Sequence, residues 1–226
     1  MKTKIEIGII TVNDPKNYGN RLQNYALQQV LRDYGTVSTV NQFLNVSKPN
    51  EIIEKRFFAL LRPVAHKVLS LLPSKHALDF KRLYRAEAFT RRYVPCSKLY
   101  ASTCLIANNI AALKAVVVGS DQVWNDRWIS NRVLSARLAD MTSDKTKLIS
   151  YAASFGINQV KDESKPIFKK QLARFSAISV REDQGAKLIG ELSGKPATVV
   201  LDPTLMVPVE HWRSIVRGFV PRDRKS

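Results

Sequence analysis

The chain has 226 residues, 45% of them apolar, enough for one large domain with a real core. No stretch approaches the roughly 20 uninterrupted apolar residues of a membrane span, and two cysteines, Cys96 and Cys104, with no Cys/His group at ligand spacing, exclude a disulfide framework and a metal centre from the expectations. The formal net charge of +17 points toward an anionic partner: nucleic acid, an anionic lipid surface or an anionic small substrate.

Met1-Lys2-Thr3-Lys4 runs directly into a strand-like pattern, without the apolar core of a secretory leader, so the cytoplasm is the expected location. Ile5 to Val12 reads as the first strand, and Asn13 to Asn20 as a loop. A helix follows, with Leu22, Ala26, Val30 and Tyr34 at four-residue spacing and Gly35 at its end. The loop thus feeds a helix N-terminus, where free N–H groups and the helix dipole attract anions. Asn17, Tyr18, Gly19 and Asn20 read either as a turn with an N-cap or as a ligand-binding loop. There is no GxGxxG or Walker pattern to mark a nucleotide site.

Val37 to Phe43 is the second expected strand. Between 50 and 95 two helical segments, about Glu51 to Leu72 and His76 to Tyr93, are separated by Pro73-Ser74. They carry Lys55, Arg56, Arg62, Lys67, Arg82, Arg85, Arg91 and Arg92 beside Phe57, Phe58, Leu60 and Leu61. Such a basic amphipathic pair suits an anionic membrane surface, or is a solvated helical insertion whose apolar face packs on the sheet. No RNA- or DNA-binding motif is present, so nucleic acid is not an expected partner.

Ala115-Val116-Val117-Val118 is an uncharged run of the kind buried on both faces of a parallel sheet. Gly119-Ser120-Asp121-Gln122-Val123-Trp124-Asn125 follows at once. Ligands in open α/β sheets bind at the carboxyl ends of strands, so this loop is a candidate site; the competing reading is a turn capped by Ser120 or Asp121 with Trp124 packed over it. A helix is expected over Trp128 to Ala139. Lys147 to Ser150 repeats the design, a strand leading into Tyr151-Ala152-Ala153-Ser154-Phe155-Gly156, where small residues permit either close packing or a ligand.

A helix over Ser164 to Arg174 leads to a strand at Ala177 to Val180, then Arg181-Glu182 and a helix from Asp183 to Leu192. A cation at a helix start opposes the dipole, so Arg181 needs either an anionic ligand or a pair with Glu182. Ala197 to Leu201 is the last strand; Asp202 before Pro203-Thr204 either caps the turn or faces the site, with turn chemistry the favoured reading, and Glu210 to Arg217 begins a helix. About six strands alternating with helices define a Rossmann-like α/β domain with a parallel sheet and a helical insertion.

Four segments stand together in order and spacing: Asn17-Tyr18-Gly19-Asn20 with Leu22-Gln23; Gly119 to Asn125; Tyr151 to Gly156; and Ser179-Val180-Arg181-Glu182 followed by Leu201-Asp202-Pro203-Thr204. In this arrangement the chain resembles the polysaccharide pyruvyl transferase family over nearly all its length except 50–95. The resemblance implies transfer of a pyruvyl group from phosphoenolpyruvate to hydroxyls of a sugar, in a cell-surface polysaccharide or its lipid-linked precursor, with no cofactor beyond the donor substrate. It also implies one half of a fold like that of the two-domain GT-B glycosyltransferases. Carried to this sequence, Arg181 would take the donor's carboxylate and Asp121 would act on a hydroxyl. Asn17, Tyr18, Gly19, Asn20, Gly119, Ser120, Gln122, Trp124, Asn125, Ser154 and Glu182 would bind substrate. The chain departs from the family in lacking its second domain and a Ser-Phe-His-Gly-like motif; His66, His76 and His211 fall in none of the matched segments. The expectation is an N-terminal domain over 1–220 with a short tail at 221–226, cytoplasmic or peripheral at the inner face of the plasma membrane, and one wall of a two-walled cleft is not expected to catalyse alone. The alternatives are a GT-B-like glycosyltransferase using a nucleotide sugar, and a non-catalytic basic membrane-surface module.

Overall fold

The computed structural model describes residues 5–12, 17–40, 85–96 and 113–217. The predicted loop Asn13 to Lys16, the end of the second strand beyond Val40, most of the basic insertion, Cys104 and the tail at 221–226 lie outside these residues. Strands β1 (Ile5–Ile10), β2 (Gly35–Thr39), β3 (Ala115–Val118), β4 (Lys147–Ser150) and β5 (Phe175–Ala177) form one sheet in the order β2-β1-β3-β4-β5. Every neighbouring pair is parallel. Helices α1 (Tyr18–Leu31), α2 (Asn131–Arg137), α3 (Lys165–Leu172), α4 (Asp183–Ser193) and α5 (Val209–Ile215) follow in chain order. This is the Rossmann-like α/β architecture that the alternation of apolar runs predicts.

All four residues of β3 are buried, as its lack of charge requires. Side chains alternate across the sheet. Ile10, Val116 and Val118 enter a core with Trp124, Leu134, Phe155 and Phe168. Ile7, Ile9, Ala115 and Val117 pack with Leu27 and Val37 on the other face. Each buried Ile, Val, Leu or Phe among them contributes about 1.5–3 kcal/mol by leaving water, so the core of the described residues sits on the two faces of the sheet's centre.

Three boundaries differ from the sequence expectation. α1 ends at Leu31, with Arg32 as its C-cap, and Gly35 opens β2 instead of closing the helix. The glycine is needed there for space, since a Cβ would collide with the carbonyl oxygen of Ile5. α2 starts at Asn131, capped by the Ser130 hydroxyl, behind a 3-10 turn at Asp126–Trp128. The expected strand at Ala177 to Val180 divides. Phe175–Ala177 closes the main sheet, while Ser179–Val180 (β6) pairs with Thr198–Val199 (β7) in a separate two-stranded parallel sheet. The physical reason is a pair of serines. Ser150 Oγ donates to the Ser179 carbonyl at 2.9 Å and accepts its N–H at 3.0 Å, and Ser179 Oγ donates to the Ser150 carbonyl at 2.9 Å. These hydroxyls stand in for the ladder between the two chains, so the main sheet has five strands rather than six.

The basic segment enters the described residues as a helical stretch over 85–93. Its Phe89 and Tyr93 rings lie edge-on to Tyr25 of α1, with centroids 5.8 and 6.0 Å away. This part of the predicted insertion therefore turns an aromatic face onto the domain. α5 approaches the same tyrosine through His211 and Trp212. No helix among the described residues is long and apolar enough to cross a membrane.

Candidate functional site

The strand order places β1 and β3 side by side while their chains leave toward opposite directions, one to α1 and one to α2. In a doubly wound sheet the crevice at such a switch point is where ligands bind. Two loops meet there. The first delivers the start of α1. Asn17 is its N-cap, accepting the Asn20 N–H at 3.2 Å. The roll of α1 is fixed behind the site by a buried polar cluster: Thr39 Oγ1 donates to Asn24 Oδ1 at 2.6 Å, and Gln28 Nε2 donates to Thr39 Oγ1 and the Pro95 carbonyl at 2.8 Å. With that face inward, Asn20 and Gln23, three residues apart, share the face above the crevice.

The second loop leaves β3 through Gly119, at φ 129, where a Cβ would strike the Tyr151 carbonyl. Asp121 then takes a positive φ of 75, rare for a residue with a side chain. Backbone bonds hold it there: its carbonyl accepts Val123 N–H at 2.7 Å and Ser154 N–H at 2.9 Å. The Asp121 carboxylate accepts its neighbour Gln122 N–H at 2.8 Å and the side-chain amide of Asn20. A third contribution comes from the end of the chain. Asp202 Oδ1 accepts Thr204 N–H at 3.0 Å and Thr204 Oγ1 at 2.7 Å, while Oδ2 accepts Arg181 Nη1 at 3.1 Å and the Gln23 side chain. Arg181 Nη2 is 4.0 Å from Asp121 Oδ1. The result is a continuous polar chain, Asn20–Asp121–Arg181–Asp202–Gln23, drawn from four separate parts of the sequence.

An open cleft of about 390 Å³ lies against it, lined by Asn17, Gly19, Asn20, Leu22, Gln23, Asp121, Asp202 and Thr204. Burial acts to raise the Asp202 pKa, but the bonds from Thr204, Gln23 and Arg181 outweigh it and hold the carboxyl below its ordinary value. Burial and the Asp202 charge together push the Tyr151 phenol up, so it keeps its proton. Burial lowers the pKa of Arg137 at the end of α2, with the Asp121 charge working against it.

Of the residues expected in the site, the cleft gathers Asn17, Gly19, Asn20 and Asp121, with Arg181 at its edge and Tyr18 exposed beside it. The others build the scaffold. Trp124 is 0% exposed, its ring 5.4 Å from Phe155 and 6.0 Å from Phe175, so it lies in the core rather than against a ligand. Asn125 caps the 3-10 turn through Arg127 N–H at 3.1 Å and donates to Gln122 at 3.1 Å. Ser120 is buried, and its carbonyl accepts Thr11 Oγ1 at 3.0 Å. Ser154 Oγ donates to Glu182 Oε1 at 2.8 Å, and the same oxygen accepts Phe155 N–H at 2.9 Å and Gly156 N–H at 3.3 Å.

The alternative of an Arg181–Glu182 pair is therefore corrected: Arg181 pairs with Asp202 and Glu182 clamps the loop after β4. Glu182 has extended backbone, φ −133 and ψ 149, and successive side chains on extended backbone point to opposite sides. The reading of Asp202 as turn chemistry is half of the observation. One oxygen serves the turn and the other faces the cleft. Leu22, Gln23 and Thr204 are the lining residues that sequence reasoning missed, while Asp202 reads in the sequence chiefly as turn chemistry. The three-residue spacing of Asn20 and Gln23 was the available signal for one of them.

A model of the family described as polysaccharide pyruvyl transferase matches residues 17–225, a span that includes every residue lining the cleft. Among curated proteins none matches the sequence.

Proposed function

The chain belongs to the polysaccharide pyruvyl transferase family, and from that premise we propose that it transfers a pyruvyl group from phosphoenolpyruvate to two hydroxyls of one sugar. The acceptor is a cell-surface polysaccharide or its lipid-linked precursor. The family match across the whole cleft is the observation that supports this reading most. The reaction protonates the methylene carbon of the enol and adds one sugar hydroxyl at the neighbouring carbon. Phosphate then leaves with the C–O bond electrons, and the second hydroxyl adds to close the ketal. Two hydroxyl protons are lost; one becomes part of the new methyl group and the other leaves on phosphate. An acid and a base are required. Asp121, at the switch point, takes the hydroxyl proton. Arg181 uses one N–H on Asp202 and offers the rest of its guanidinium to the donor's carboxylate. The chemistry calls for no cofactor. The charge of +17 and a lipid-linked acceptor suit a position at the cytoplasmic face of the membrane.

The test is phosphate release by the purified chain given phosphoenolpyruvate and a sugar acceptor. Release that requires both substrates, with the acceptor gaining the mass of one pyruvate ketal, is the expected result. Release of a nucleoside diphosphate from a nucleotide sugar, without consumption of phosphoenolpyruvate, would assign a glycosyltransferase instead. Arg181→Ala is expected to raise the phosphoenolpyruvate requirement by about tenfold, the cost of one lost charge-assisted contact.

A further inference from the structure

We propose that Trp212 of α5 is a positioning residue: through Thr204 and Asp202 it fixes the direction in which Arg181 presents its guanidinium. That this direction serves the donor's carboxylate rests on the reading above; the mechanical link from α5 to Arg181 does not.

α5 has seven residues and none of them is buried, so burial alone does not hold it in place. Among the described residues, two hydrogen bonds tie it to the rest of the domain. The Tyr25 hydroxyl and His211 Nε2 share one, and the Trp212 indole N–H donates the other to the Thr204 carbonyl at 3.2 Å. Tyr25 belongs to α1 and is 4% exposed. The rings of His211 and Trp212 lie with centroids 5.8 and 5.6 Å from its own, and such pairs restrict orientation as well as burying area. α5 is thus a brace running from α1 to the turn Pro203–Leu205 that follows Asp202. Packing against Tyr25 asks only for a flat apolar ring. The indole N–H aimed at Thr204 is the part of Trp212 that packing does not require.

Thr204 transmits the restraint. Its carbonyl accepts Trp212, while its N–H and hydroxyl both donate to Asp202 Oδ1, at 3.0 and 2.7 Å. A carboxylate turns about its Cβ–Cγ bond in a broad well, so holding Oδ1 is what aims Oδ2. Oδ2 accepts Arg181 Nη1 at 3.1 Å and the Gln23 side chain. Gln23 bonds the same oxygen as Arg181 from a long, rotatable side chain, so it follows the carboxylate rather than aiming it. Among the described residues Asp202 is the hydrogen-bond partner of the Arg181 guanidinium, and Asp121 stands 4.0 Å from it. A planar fork with one nitrogen held leaves its remaining N–H groups in a set plane. Gln23 and Tyr25, two residues apart, face different sides of α1. Asp202 is therefore gripped by α1 twice, directly through Gln23 and the longer way round through Tyr25 and α5.

The experiment reads Arg181 directly, by NMR of its guanidinium N–H groups in the isotope-labelled full chain at neutral pH. Trp212→Phe keeps a ring against Tyr25 and removes the indole N–H. It is expected to speed rotation of the Arg181 guanidinium about threefold, one neutral hydrogen bond passed on in part. In an Asp202→Ala background the same substitution is expected to change nothing further, because the path is already cut. Tyr25→Phe drops the bond to His211 and keeps its ring. It is expected to move Arg181 in the same direction through the other tie, so the result does not depend on one variant folding. A packing role alone would lower the thermal midpoint and leave Arg181 as it was. An Arg181 signal unmoved by both variants, or moved equally with and without the Asp202 carboxylate, overturns the proposal. Kinetics separate it from the enzymatic reading. If the wild type turns over phosphoenolpyruvate, Trp212→Phe is expected to raise the donor KM about threefold at unchanged kcat, and an unchanged KM overturns the positioning role. A mobilised Arg181 in a protein that consumes no phosphoenolpyruvate keeps the link from α5 and removes the enzymatic reading.

Discussion

Glu182 offers the sharpest test of how the site is supported, because its carboxylate is expected to be worth more to the fold than to a ligand. One oxygen gathers Ser154 Oγ at 2.8 Å, Phe155 N–H at 2.9 Å and Gly156 N–H at 3.3 Å. Ser154 is 1% exposed and Phe155 0%, so both donors are stranded if the acceptor disappears. Each buried unsatisfied donor costs about 1–3 kcal/mol. The Gly156 bond is long and open to water, and counts for little. Glu182→Ala should therefore destabilise by about 3 kcal/mol, a large share of the 5–15 kcal/mol typical of a domain. Glu182→Gln keeps a carbonyl oxygen in place and loses only the charge, so about 1 kcal/mol is expected. Ser154→Ala in the Glu182→Ala background should cost less than it does alone, since the two groups share a bond. Urea denaturation with matched m-values measures the wild type and all four variants. If Glu182→Ala shifts the midpoint no more than Glu182→Gln does, the clamp is not what holds the loop after β4, and the scaffold assignment fails.

Asp202 should reveal itself in the acid limb of stability. Its folded-state pKa lies below the ordinary 3.8, so its contribution is complete above that pH and disappears as pH falls through the lower, folded value. Asp202→Asn should cost about 2 kcal/mol at neutral pH, with the gap to wild type closing in strong acid; a gap that stays constant with pH would contradict the ion pair with Arg181. Gly119→Ala places a Cβ against the Tyr151 carbonyl at a φ of 129. It is expected to destabilise by more than about 2 kcal/mol, and an unchanged thermal midpoint would show that the turn is not required in this form.

The sheet was readable because burial on two faces leaves a plain trace in sequence. Ala115 to Val118 is uncharged and buried at every position, and its length and flanking glycine leave one interpretation. The break at Ile178 was not readable. It depends on the hydroxyls of Ser150 and Ser179, 29 residues apart, meeting in the ladder. The site divides in the same way. Asn17 and Asn20 are legible from local helix-start chemistry. Asp202 satisfies a local turn so well that turn chemistry is its favoured reading, and the partner of its second oxygen, Gln23, lies 179 residues back and leaves no local trace. Trp124 misled for a related reason: a large aromatic in a polar loop suggests a ligand platform, while the tight turn at Asp121 folds it back into the core.

The chain's three tryptophans occupy three optical environments. Trp124 is fully buried and Trp128 is 77% exposed. Trp212, in α5, donates its indole N–H to the Thr204 carbonyl at 3.2 Å, on the residue that also hydrogen-bonds Asp202 at the rim of the cleft. Iodide should quench Trp128 and leave Trp124 dark to it until the sheet unfolds. With Trp128 replaced by phenylalanine, the emission that remains divides into a core signal and a signal at the cleft. The Trp212 emission is therefore expected to shift when the cleft is filled, a change readable without any label attached.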